Sequence, residues 1–194
     1  MDNNYKIILA SQSPRRAEIM RMIGVKFKVE SSNIYEEVNQ KIEQNEIAIN
    51  ISKAKAEKIS HKYPNNIIIG ADTIVVFNKE IFGKPKNINE SKKMLKALSG
   101  NSHKVITGVT IMNKKLGILK TFSEMTEVFV REIPTKKIEY YLRNFNTLDK
   151  AGGYGIQEWF SVWIEKINGC YYNVMGLPVS KFYKHLVEIE KLMK

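Results

Sequence analysis

The 194-residue sequence contains a single cysteine, Cys170. This excludes a disulfide within the chain and a zinc site built from several thiolates, and it suits a reducing compartment. No apolar run approaches the roughly 20 residues that are needed to cross a bilayer. The first residues, Met1-Asp2-Asn3-Asn4, lack the charged and apolar regions of a signal peptide. The sequence therefore predicts a cytoplasmic protein without a membrane partner.

Several common signatures of chemistry are also absent. There is no Walker A loop, and Gly83-Lys84-Pro85 lacks the glycine spacing of one. The glycine-rich run 152–155 follows no strand of the dinucleotide-binding type. None of His61, His103 and His185 has a neighbouring pattern that indicates a catalytic triad.

The charge of the chain is strongly positive, with 31 Lys and Arg residues against 20 Asp and Glu residues. Basic proteins often bind nucleic acid by neutralising its phosphates. Here the lysines are spread over nearly every predicted element and form no block of five or six, which favours a solvated surface over nucleic-acid binding. A positive field also attracts small polyanionic substrates. Charge alone leaves the choice open.

Hydrophobic periodicity predicts strands mixed with helices in a single compact unit that covers residues 1–194. The predicted helices are 13–24, 45–62, 89–100, 135–144 and one that begins at Pro178; the predicted strands are 6–10, 25–29, 67–77, 105–112, 116–132 and 160–167. Both parallel and antiparallel pairing are expected, so the predicted class is α/β, folded as two lobes around a mixed sheet.

The first candidate site is the turn Ser11-Gln12-Ser13-Pro14-Arg15-Arg16, between a buried strand and a helix. Ser13 and Pro14 suit an N-cap and a first helical residue. A helix N-terminus offers unpaired N–H groups to an anion, and the hydroxyls of Ser11 and Ser13 with the guanidinium groups of Arg15 and Arg16 add donors for phosphate. A plain helix cap with two surface arginines is the alternative.

The second candidate is Asp72, within the β-branched run 67–77. A carboxylate in such a strand costs several kcal/mol unless a cation or hydrogen bonds compensate it. Gly70 and Ala71 leave space beside it. Lys55 lies on the apolar stripe of its predicted helix, where a lysine more often extends its amine to solvent. The position of Lys84 between Gly83 and Pro85 does not distinguish a surface lysine from a site residue. Glu36 and Gln157 are unremarkable in isolation.

Taken in order along the chain, these stretches resemble the Maf-like nucleotide pyrophosphatases, once described as septum formation inhibitors. The stretches that carry the resemblance are Leu9 to Arg16, Gly70-Ala71-Asp72-Thr73, Gly83-Lys84-Pro85, Leu98-Ser99-Gly100 with His103, Thr107-Gly108-Val109, Asp149 to Gln157, and Asn173 to Pro178. They extend over almost the whole chain.

The resemblance implies a two-lobed fold, similar to that of inosine triphosphatases, with the active site in a cleft. It implies that water attacks the α-phosphorus of a nucleoside triphosphate, giving a nucleoside monophosphate and pyrophosphate. It also implies a divalent cation, Mg²⁺ or Mn²⁺, and a possible homodimer. The branch that it indicates acts on dTTP and UTP, with removal of non-standard nucleotides as a further role.

The resemblance also implies roles for residues. Asp72 matches the catalytic proton acceptor, and Glu36 matches an acidic residue that shares the metal with it. Lys55 and Lys84 match lysines that face the phosphates. The positions linked to base selection are Arg15, Thr73 and Gln157.

Two residues depart from the family pattern. Tyr35 stands where an aspartate is common, and Glu158-Trp159 stands where a glycine is usual. Two alternatives remain open at this stage. One is a pyrophosphatase for 7-methyl-GTP or other modified nucleotides, and the other is a regulator of cell division that acts by binding.

Overall fold

The computed structural model describes residues 6–34 and 42–193, and the predicted metal ligand Glu36 lies outside them. The helices are α1 (Pro14–Met22), α2 (Gln44–Lys62), α3 (Ile88–Leu98), α4 (Thr135–Asn144), α5 (Tyr171–Met175) and α6 (Val179–Leu192). The strands are β1 (Ile7–Leu9), β2 (Phe27–Val29), β3 (Ile67–Phe77), β4 (Glu80–Phe82), β5 (Ser102–Asn113), β6 (Ile118–Val130) and β7 (Ile164–Asn168). In these ranges no helix combines the length and apolarity that a membrane span requires.

The described strands form one seven-stranded sheet in the order β2-β1-β3-β5-β6-β7, with β4 paired to β3. β1 is parallel to both of its neighbours, and its residue Leu9 is opposite Val29 in β2 and Ile69 in β3. β4 is antiparallel to β3, and β7 is antiparallel to β6. Parallel and antiparallel pairs in one sheet with flanking helices confirm the predicted mixed α/β class.

The chain divides into two compact units. The first comprises the described parts of Met1–Asp72, Thr107–Glu124 and Gly176–Lys194. One cluster of its buried apolar side chains consists of Ile8, Ala10, Ala56, Ile59, Ile68 and Met112. Apart from Ala10, which directly follows β1, these residues come from β1, α2, β3 and β5. The apolar face of α2 therefore packs on the strands.

Two glycines allow α2 to approach the sheet closely. A Cβ atom on Gly70 of β3 would lie 2.1 Å from the backbone oxygen of Ser52, and one on Gly108 of β5 would lie 2.3 Å from the carbonyl group of Ala48. The hydroxyls of Ser52 and Thr110, 2.8 Å apart, add a hydrogen bond between the helix and β5. Any larger residue at either glycine must therefore displace the helix backbone.

Gly108→Ala is expected to lower the free energy of unfolding by about 1–3 kcal/mol, because an added methyl group overpacks this contact. Gly83→Ala is the matched control, since a Cβ atom there meets nothing within 4 Å. Urea denaturation of the two variants measures the difference. Equal stability of both variants would contradict the close packing of α2.

The second unit comprises Thr73–Ile106 and Met125–Met175. Its buried apolar side chains include Leu95 and Leu98 of α3, Ile138 and Tyr141 of α4, and Phe160. The ring of Phe160 packs on those of Tyr141 and Tyr154, with centroids 5.4 and 4.5 Å apart. Aromatic packing therefore anchors the segment that follows α4.

Two local predictions were wrong. The cap of α3 is Asn87, not Asn89: its side chain accepts a hydrogen bond from the Glu90 N–H at 2.9 Å, and the Glu90 carboxylate accepts one from the Lys86 N–H at 2.7 Å. This reciprocal pairing resembles a capping box and fixes the start of the helix. The strand predicted from Phe160 begins at Ile164, because Trp159–Trp163 forms a 3₁₀ helix.

Candidate active site

The turn between β1 and α1 has the predicted capped geometry. Ser13 is the N-cap of α1 and Pro14 its first residue, and the Ser13 hydroxyl accepts a hydrogen bond from the Arg16 N–H at 3.5 Å. The Ser13 N–H donates to the hydroxyl of Ser11 at 3.2 Å. The turn therefore places two hydroxyls at a helix N-terminus, where the positive end of the helix dipole favours an anion.

The two arginines of the turn occupy different environments. Arg16 is buried, its Nε donating to the Gly176 carbonyl oxygen at 2.8 Å and its Nη1 to the Ser11 hydroxyl at 3.0 Å. Arg15 is half-buried. The guanidinium of Arg16 thus braces the turn through Ser11, a role that the sequence did not indicate. Direct contact of either arginine with a substrate stays a prediction.

Asp72 and Lys55 form a buried ion pair. The Lys55 Nζ lies 2.7 Å from Asp72 Oδ1, and the residues are only 8% and 6% exposed. The position of Lys55 suggested an amine that extends to solvent, but the amine turns inward to the carboxylate. Lys55 lies on α2 between Ser52 and Ala56, the two residues that pack closely against Gly70.

The register of β1 and β3 relates this ion pair to the turn. The two strands are parallel with Leu9 opposite Ile69, and the Ala10 N–H donates to the Ile69 carbonyl at 2.8 Å. Ser11 follows Leu9 by two residues and Asp72 follows Ile69 by three. The turn follows β1 and the buried carboxylate lies on the neighbouring strand β3. The turn is thus at the carboxyl end of a parallel pair, where ligands commonly bind.

The remaining predicted residues belong to the second unit. Thr73 is half-buried in β3, Lys84 is exposed in the loop after β4, and Gln157 is exposed beyond the glycine run. The Gly152 N–H donates to the Gly83 carbonyl at 3.1 Å. This hydrogen bond joins the loop that carries Lys84 to the segment that carries Gln157.

Sequence reasoning missed a buried lysine in that segment. Lys150 is 5% exposed, and its ammonium lies 2.8 Å from Asp149 Oδ1 and 3.0 Å from Glu158 Oε1. The other carboxylate oxygen of Glu158 accepts a hydrogen bond from the Tyr141 hydroxyl at 2.9 Å. The one available signal was the Asp149-Lys150 pair before the glycine run, which gives no indication that Glu158 completes the cluster.

His103 is also buried, and its Nε2 lies 2.7 Å from the hydroxyl of Tyr154. Within the described ranges its Nδ1 has no hydrogen-bond partner. Burial lowers the pKa of His103 from 6.5 to about 4 and raises the pKa of Tyr154. The imidazole is therefore neutral at physiological pH, which suits a structural role better than proton transfer.

Stability is expected to depend on pH through His103. Between pH 6.5 and about 4 the unfolded chain binds a proton that the folded chain does not, so the free energy of unfolding falls as the pH falls through this range. The full effect is about 3 kcal/mol. His103→Gln should remove this loss in urea denaturation at pH 7, 6 and 5, and the exposed His61→Gln should retain it. An unchanged slope in the first variant would contradict the assignment.

Comparisons with known proteins identify the family of this chain. A family model described as Maf-like protein matches residues 6–189. A dTTP/UTP pyrophosphatase of Cytophaga hutchinsonii is 44% identical over 191 residues, which cover 98% of this chain and 85% of that protein. A protein of the same name from Thermosipho africanus is 47% identical over 178 residues, covering 92% and 90% of the two chains. A third from Bacillus cereus is 40% identical over 185 residues, covering 95% and 90%.

Among solved structures, a HAM1 protein from Coxiella burnetii overlaps 67% of this chain and 75% of its own, with a TM-score of 0.47 and 19% identity. This likeness is too partial to bear on function. The family match extends through residues of both compact units, and the curated relatives align along nearly the whole chain. The chain belongs to the family of Maf-like proteins, as its motifs predicted.

Proposed function

We propose that this protein is a nucleoside triphosphate pyrophosphatase that hydrolyses dTTP and UTP to the nucleoside monophosphate and pyrophosphate. The relatives that carry the name dTTP/UTP pyrophosphatase support this assignment, because they are 40–47% identical and the chain covers 85–90% of their length. The observation that carries it is the buried ion pair of Asp72 and Lys55. Asp72 lies on β3, and the neighbouring parallel strand β1 leads into the capped turn whose groups suit phosphate.

The first unit supplies groups that suit a triphosphate. The hydroxyls of Ser11 and Ser13 and the N–H groups that open α1 donate to phosphate oxygens, and Arg15 adds a guanidinium suited to bidentate contact. Arg16 orients Ser11, and we propose that it also adds positive charge beside the phosphates. Lys55 holds the Asp72 carboxylate in place and contributes a third positive charge.

Asp72 is proposed to act at the reaction centre. Its carboxylate is proposed both as the acceptor for the proton of the attacking water and as a ligand for the metal. Lys84 stabilises the charge that develops on the pyrophosphate leaving group. We assign Thr73 and Gln157 to recognition of the base.

A divalent cation, Mg²⁺ or Mn²⁺, suits the carboxylate of Asp72 as a ligand. The Asp72 carboxylate is a hard oxygen ligand, and within the described ranges no cluster of three or more His, Cys, Asp or Glu residues forms a cage. Mg²⁺ commonly binds through one or two carboxylates together with substrate phosphates, so a cage is not required. We propose Asp72 as a ligand, with Glu36 as the second. The cation would offset the negative charge of the phosphates.

We also propose that both compact units act as one Maf-like domain, since the family model covers residues of each. A cytoplasmic location is proposed from Cys170, the single cysteine, which is a free thiol. Homodimerisation stays a prediction, and light scattering of the purified protein tests it.

The test of the proposed function is pyrophosphate release from a panel of nucleotides. We expect the purified protein with Mg²⁺ or Mn²⁺ to release pyrophosphate from dTTP and UTP with higher kcat/KM than from CTP, GTP, ATP or 7-methyl-GTP. A preference for 7-methyl-GTP would reassign the substrate class. Release from none of these nucleotides would overturn the proposal.

A further inference from the structure

The Lys150 cluster joins both ends of the segment that presents Gln157. Its ammonium contacts the carboxylates of Asp149 and Glu158 at 2.8 and 3.0 Å and also the backbone oxygen of Asn146. A buried ammonium is costly unless acceptors surround it, and here the acceptors come from residues before and after the glycine run. The charge of Lys150 therefore fixes the two ends of the segment 149–158 relative to each other.

Tyr141 extends the cluster to the backbone of the segment. Its hydroxyl donates to Glu158 Oε2 at 2.9 Å and accepts from the Gly155 N–H at 3.1 Å. Burial raises the pKa of Tyr141, so the phenol keeps the proton that it donates. One hydroxyl on α4 thus fixes a backbone amide inside the segment and a carboxylate at its end.

One glycine of the segment lies against this cluster, and two others have backbone angles that favour glycine. A Cβ atom on Gly155 would lie 2.9 Å from Glu158 Cδ and 3.1 Å from Lys150 Cε, so the backbone lies directly against the ion pair. Gly152 and Gly153 have φ values of +69° and +76°, which residues other than glycine rarely adopt. The segment therefore has little freedom to adopt another path while the ion pair is intact.

Gln157 itself is exposed and immediately precedes Glu158. A hydrogen bond from the Glu158 N–H to the Gly155 carbonyl at 3.2 Å closes the turn in which Gln157 lies. The backbone of Gln157 is thereby held by Glu158, whose two carboxylate oxygens contact Lys150 and Tyr141.

We propose that Tyr141, Lys150 and Glu158 are positioning residues for substrate selection, which hold Gln157 in the orientation that reads the base of the nucleotide. This inference rests on the proposed function, in which Gln157 contacts the base. The three residues act through the segment and need not touch the substrate. Their loss should weaken discrimination between bases more than it weakens hydrolysis.

Tyr141→Phe is the decisive variant, because it removes only the hydroxyl and keeps the aromatic packing. Loss of its two hydrogen bonds is expected to lower kcat/KM for dTTP about tenfold, mainly through KM, while kcat/KM for GTP changes little. The ratio of kcat/KM for dTTP to kcat/KM for GTP therefore falls about tenfold. Tyr140→Phe is the matched control, since it makes the same change at an exposed neighbour in α4.

Glu158→Gln is the second variant and keeps the shape of the side chain while removing the charge opposite Lys150. It should lower the same ratio, and it decides the test if Tyr141→Phe does not fold. Thermal unfolding of each variant identifies a merely structural effect, which would lower the melting temperature at an unchanged ratio.

A wild-type dTTP-to-GTP ratio in folded Tyr141→Phe and Glu158→Gln overturns the positioning role, and so does an equal loss on every nucleotide. Failure of the proposed function is seen separately, because the unmodified protein would then release no pyrophosphate from dTTP or UTP.

Discussion

Asp72→Asn is expected to lower kcat for pyrophosphate release from dTTP by about 10³-fold or more. The substitution keeps the size of the side chain, but an amide neither accepts the proton of the attacking water nor offers a charged oxygen to a cation. The loss should appear in kcat, with the nucleotide still bound by the turn at α1. Steady-state kinetics together with calorimetric titration of a non-hydrolysable dTTP analogue separate the two effects.

The control for this substitution is Glu165→Gln, which removes one negative charge from an exposed position in β7. It should leave kcat unchanged. Full activity of Asp72→Asn would contradict the mechanism and move the reaction centre away from the buried ion pair.

Lys55→Met is expected to destabilise the protein by about 3–5 kcal/mol, because it leaves the carboxylate of Asp72 buried without its cation. Urea denaturation in the presence of a chelator measures this cost without compensation by a divalent metal. Lys53→Met, two residues earlier in the same helix, is the matched control. Lys53 pairs with Glu57 at 3.7 Å on the surface, so its loss should cost less than about 1 kcal/mol.

The double variant Lys55→Met/Asp72→Asn distinguishes an ion pair from simple packing. If the two charges stabilise each other, the double variant should be more stable than Lys55→Met alone, because no uncompensated charge is left. Purely additive losses would show that Lys55 contributes through its aliphatic stem.

The sequence predicted those parts of the site whose pattern is local. Ser13 and Pro14 mark the start of α1 because capping depends on adjacent residues, and Asp72 is conspicuous because it interrupts an apolar strand. The mixed sheet also follows from the periodicity of its longer strands. Short strands such as Glu80–Phe82 have no such periodicity and were not predicted.

Other features depend on contacts between distant residues. The inward direction of Lys55 brings its ammonium to Asp72 of β3, and periodicity does not encode such a contact between a helix and a strand. The bracing of Ser11 by Arg16 requires Gly176, 160 residues further along the chain. The 3₁₀ helix Trp159–Trp163 replaces a predicted strand where an alternating apolar pattern packs on aromatic rings instead.

The hydrogen bond between Arg16 and the Gly176 carbonyl also sets the order in which the two units can fold during synthesis. The second unit is complete once residue 175 has been made, whereas the first unit needs chain from 176 onward. Arg16 therefore meets its carbonyl partner, and so orients Ser11, only after a further 160 residues have been made. A chain that is interrupted before residue 176 is therefore expected to lack the brace on Ser11, although it already contains every residue of the second unit.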